Sequence, residues 1–340
     1  MPLAPRPLRT ALAALCLLST TAHANERWYQ VELLVFSHET SNSVEQWDPL
    51  PELSYPTSGR FLVYPVQVES RLQEFPGESE INEFGRQLIV MPPEVAPDAS
   101  AQPTDETVTP DTSEAAQTAS AEVEAAEQLY PTPFVALPHR QREFHGKSAY
   151  MQRTGKYRTL FHESWVQPMQ AEGSAVPLVL DASGDIQNWP RLQGTVKLHI
   201  ARYLHIETNL WLNTSGDYLP GEWRMPAPPL GPASLIVEHP EPSLPEEPEP
   251  YYVNQVSFDE PGTADDPNSL SDAAEDLGPV YPWRHAVALQ QARRMRSNEV
   301  HYIDHPLMGV VIKFTPLDDE ELHDMGLAEA EATAAKAAKP

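Results

Sequence analysis

Arg293, Arg294 and Arg296 form a tight basic cluster in a chain that carries 49 acidic and 23 basic side chains. A guanidinium fork grips a carboxylate through two parallel hydrogen bonds, so such a cluster suits capture of peptide carboxylates or of an acidic protein. The same arginines also suit internal pairing, with Glu299 or with acids of the loops. His301, Asp304 and His305 follow within a few residues and are types that ligate metals. On a strand His301 and His305 share a face, Asp304 points away, and Pro306 ends the element. A divalent site there draws on further ligands, for which His199 and His205 are the candidates. The competing reading is a hydrogen-bonded turn.

Tyr203 and His205, with Trp165, Trp189, Trp211 and Trp223, offer flat surfaces of the kind that stack on sugar rings, or that simply pack a core. No G-x-S-x-G, no H-E-x-x-H and no nucleophile beside a base occurs in the sequence. Paired carboxylates are not diagnostic among so many acids. The expectation is therefore a binding protein without a catalytic residue, cofactor or metal.

The net charge of −26 excludes general binding to nucleic acid, which needs a cationic surface to release condensed counterions. Residues 1–24 carry Arg6 and Arg9, an apolar run from Ala11 to Leu18, and Ala22-His23-Ala24. That pattern predicts a secretory signal cleaved after Ala24, and hence a periplasmic product without stable membrane insertion. Cys16, the one cysteine, leaves with the signal, and the formal charge becomes −28. Disulfides, thiol nucleophiles and cysteine-bound zinc are then excluded.

The elements that must position these residues are mostly strands. Trp28 to Phe36 alternates with Tyr29, Val31, Leu33 and Val35 on one face. His139 to Arg153 reads as a short basic helix, and Tyr157 to Trp165 as a strand with Tyr157, Thr159, Phe161, Glu163 and Trp165 together. Val176 to Leu180 is a short strand. Residues 194–206 read as one strand with Val196, Leu198, Ile200, Leu204 and Ile206 facing the core and Lys197, His199, Tyr203 and His205 opposite. Thr208 to Leu212 pairs with it, Tyr251 to Phe258 is a further strand, and 287–316 holds three strands with turns at Ser297-Asn298 and His305-Pro306. Residues 91–130 contain nine acids and no base, a composition that predicts disorder. Residues 238–279 read as acidic, proline-rich loops, and 318–340 as a helical or disordered tail. The fold expected is α+β, mainly antiparallel sheet with one or two helices, as one domain over 25–90 and 131–317.

Tyr29-Gln30-Val31-Glu32-Leu33-Leu34-Val35-Phe36, Arg202-Tyr203-Leu204-His205, and above all the run from Arg293 to Val310 resemble the CsiV family of gammaproteobacterial periplasmic proteins. The resemblance implies a non-catalytic peptidoglycan-binding protein. It also implies a role in murein assembly with LpoA, the outer-membrane lipoprotein activator of a class A penicillin-binding protein. No family binding residues carry over. The ligand contacts expected on physical grounds are Arg202, Tyr203, His205, Arg293, Arg294, Arg296, His301, Tyr302, Asp304 and His305. The alternatives are a protein adaptor without glycan affinity, whose acidic loops contact partners, and a metal-dependent hydrolase built on His301, Asp304 and His305.

Overall fold

Alternation of apolar residues at period two makes one face of a strand a core face, and two such sheets bury their faces against each other. The computed structural model of the protein describes residues 27–39, 47–93, 129–219, 225–240 and 281–337. Residues 1–24, read above as a secretory signal, most of 91–130, nearly all of 238–279 and the strand expected at Tyr251 to Phe258 lie outside the described residues. In chain order the elements are β1 (Trp28–His38), α1 (Pro65–Glu74), β2 (Glu78–Ile81), β3 (Gln87–Val90), α2 (His145–Arg153) and β4 (Tyr157–Pro168). Then come β5 (Leu178–Val179), α3 (Ser183–Ile186), β6 (Leu192–Ile200), β7 (Leu204–Thr214) and β8 (Leu235–Glu238). The last are β9 (His285–Met295), β10 (Val300–Asp304), β11 (Met308–Pro316) and α4 (Asp319–Ala337).

Two four-stranded antiparallel sheets, ordered β10-β11-β1-β4 and β5-β6-β7-β9, are joined by a small third sheet, β2-β3-β8, in which β3 and β8 run parallel. The fold is α+β with antiparallel pairing dominant, as expected. Val31, Leu33, Val35, Trp165, Ile312 and Phe314 of the first large sheet share one apolar cluster with Val196, Leu198, Ile206 and Leu210 of the second. β1 is buried on both faces, because Leu34 and Phe36 pack on the other side against Phe144, at the start of α2.

Two readings of the sequence need correction. Residues 194–206 are not one strand: Ala201 to Tyr203 form a turn, and Ile200 pairs with Leu204 and His199 with His205. A three-residue turn preserves parity, so the alternation runs on unbroken through a hairpin. In β4, a register shift opposite Val35/Phe36 leaves Leu160 as an extra residue. Tyr157 and Thr159 therefore lie on the α2 side with His38 and Phe36, while Phe161, Glu163 and Trp165 lie on the side of Val35, Leu33 and Val31. The three strands of 287–316 fall where expected. Helix α1 lies in a stretch after β1 where the sequence pattern predicts no element.

Candidate functional site

Arg202 and Tyr203 occupy the tip of the β6–β7 hairpin, and β9 lies beside β7 in a register that sets Arg294 opposite His205. The Arg294 Cζ sits 4.3 Å from the centre of the Tyr203 ring, and the Arg202 Cζ 5.5 Å. Two guanidinium groups thus lie against one phenol whose side chain is 41% exposed. Stacking on an aromatic ring leaves the edge donors of a guanidinium free for carboxylates. One residue inward the His199 and His205 rings stack in parallel at 5.0 Å. Burial holds the His199 pKa below the usual histidine value, opposed by Glu207.

The other expected contacts are spread over different places. Arg293 pairs with Ile206 and so emerges on the opposite face of β9 from Arg294, where its guanidinium donates to Gln291 Oε1 at 2.8 Å. Arg296 follows the end of β9 and makes an exposed pair with Glu299 at 3.4 Å. His301 Nε2 accepts from the Arg296 N–H at 2.9 Å, closing the β9–β10 turn. Tyr302 and Asp304 lie in the other large sheet. There the Tyr302 ring stacks over Phe36 and its hydroxyl donates to Asp304 at 2.6 Å. His305 stacks on Trp47 at 4.8 Å, and burial pushes its pKa down to about 4. All three arginines of the cluster are exposed, but only Arg294 joins Arg202, Tyr203 and His205 on one surface.

A family model described as peptidoglycan-binding protein, CsiV, matches residues 7–317, nearly the whole chain. The chain belongs to the CsiV family. No curated protein and no solved structure matches it.

In this CsiV chain a concavity of about 630 Å³ lies away from Arg202 and the Arg293–Arg296 cluster. It is lined by Phe61, Tyr64 and Phe161 with the carboxylates Glu163, Asp181 and Asp185. Burial raises the pKa of Asp181, opposed by hydrogen bonds from Ser183, the Gly194 N–H and Tyr55. The Tyr55 hydroxyl donates to Asp181 at 2.8 Å, and the Gly194 N–H at 2.8 Å. Asp185 accepts from Arg71 at 2.6 Å and from the Ser234 N–H at 2.6 Å. Glu163 is raised by burial and opposed by Arg142, which donates to it. Each acid of the cleft is thus engaged by an internal donor. This CsiV cleft escaped the sequence reading because its walls come from separate segments, and no local pattern joins Tyr64 to Asp181.

Among the described residues of the CsiV chain, no helix is long and apolar enough to cross a membrane.

Proposed function

We propose that this CsiV chain binds peptidoglycan without turning it over, through the surface formed by Arg202, Tyr203, His205 and Arg294. The observation that carries the reading is the pair of guanidinium groups held on the exposed Tyr203 ring, in a chain whose family model is described as peptidoglycan-binding. Murein offers what that surface takes: stem-peptide carboxylates for the arginine edges, and sugar rings for the aromatic face. Against a net charge of −26, a local cationic group selects where an anionic polymer can approach. The protein acts in the periplasm after cleavage at Ala24. There it assists cell-wall assembly with an LpoA-type outer-membrane lipoprotein and, through it, a class A penicillin-binding protein.

Sedimentation with purified sacculi tests the binding role. The wild-type chain is expected in the pellet at low salt, and the double variant Arg202→Ala, Arg294→Ala in the supernatant. Equal pelleting of the two would remove the site, and absence of the wild-type chain from the pellet would remove glycan binding and leave the adaptor reading. Capture on immobilised LpoA-type lipoprotein tests the partner separately.

A further inference from the structure

His199 is 4% exposed, and its Nδ1 is enclosed with no hydrogen-bond partner. A buried imidazole nitrogen left this way loses its hydration and recovers nothing from the fold. What it faces is acidic. Glu207, on β7, places Oε1 3.6 Å from Nδ1, too long for a hydrogen bond. The Gln170 carbonyl accepts the Ile200 N–H at 2.9 Å, which holds the loop after β4 against the end of β6 and brings Glu172 to the same point. One ligand atom from each of Glu172, His199 and Glu207 lies within 4.8 Å of the other two.

We infer that Glu172, His199 and Glu207 form a site for a divalent transition cation of the zinc type. One imidazole and two carboxylates are a donor set such ions accept, and three protein ligands leave a coordination position open. Two ligands on bonds of zinc length at a tetrahedral angle sit about 3.4 Å apart, close to the existing His199–Glu207 separation. Glu172 is exposed and has the freedom to close the remaining gap. The His205 ring, stacked on His199, fixes the plane in which Nδ1 points. Lys197 Nζ, 3.9 Å from Glu207 Oε2, balances part of the acidic charge, and an incoming cation takes over that role. The inference stands apart from the peptidoglycan reading, which uses neither carboxylate.

Calorimetric titration of the full mature chain with Zn²⁺ alone tests it. The wild-type chain is expected to bind, and Glu172→Gln and Glu207→Gln are each expected to weaken binding at least tenfold. The ¹⁵N resonance of the His199 imidazole Nδ1 is expected to move on saturation. His199→Gln is a buried change that risks unfolding, so the exposed Glu172→Gln is the deciding variant. Absence of binding, or binding equally tight in Glu172→Gln and Glu207→Gln with the His199 resonance unmoved, would overturn the site.

Discussion

The Glu32 carboxylate and the His162 imidazole meet at 2.8 Å beneath the start of α2, both out of contact with most solvent. Glu32, 4% exposed, also accepts the backbone N–H groups of Glu143 and Phe144 at 2.7 and 2.8 Å. A helix start exposes unpaired N–H groups, and a carboxylate delivered by β1 satisfies that of the N-cap Phe144 together with the N–H of Glu143 just ahead of it. Burial raises the Glu32 pKa, but the bonds from His162, Phe144 and Glu143 outweigh it and hold the carboxyl below its ordinary 4.5. Glu32→Ala is expected to cost about 2–4 kcal/mol in urea unfolding, because it orphans buried donors. The ionised group's contribution is present above pH 4.5 and lost as pH falls through the lower folded value. The gap between wild type and Glu32→Gln is therefore expected to narrow in acid.

His305 carries the opposite sign. Its folded pKa of about 4 lies below the ordinary 6.5, so the unfolded chain binds the extra proton first. Stability conferred by the neutral ring on Trp47 is complete above pH 6.5 and is lost as pH falls toward 4. Thermal unfolding at pH 7 and pH 5 is expected to show a larger drop in Tm for the wild type than for His305→Phe. An equal drop would assign the acid sensitivity elsewhere.

Gly194 has φ +112°, and a Cβ placed there would lie 2.1 Å from the Asn209 carbonyl oxygen across the β6–β7 ladder. Gly194→Ala is expected to destabilise by about 2 kcal/mol or more in chemical unfolding. Gly155 also has positive φ, +69°, but open space around it. Gly155→Ala is expected to cost about 1 kcal/mol, the conformational part alone.

Arg294→Lys keeps the charge and loses the planar stack on Tyr203. Titration of labelled sacculi is expected to show binding about 2- to 5-fold weaker than wild type, the worth of an exposed cation–π contact. Unchanged affinity would mean that a point charge is enough.

Much of the sheet was legible because its signal is local. In β1, Tyr29, Val31, Leu33 and Val35 are all buried on the face their alternation assigns. What misled was parity: a three-residue turn hid a hairpin within 194–206, and one extra residue, Leu160, split the face expected for β4. Helix α1 buries none of its residues and starts on Pro65 without a side-chain cap, so neither an apolar stripe nor a capping residue marked it.

Residue types and spacing determined the strand content, the acidic balance and the basic run ahead of β10, since each depends only on neighbours along the chain. Tertiary structure alone decided that Arg294 stands over Tyr203 while Arg293 turns away, and that Glu172 and Glu207 converge on His199. Those relations depend on which strands pair and in what register. Pairing of this kind is settled by burial of both sheet faces over the whole molecule.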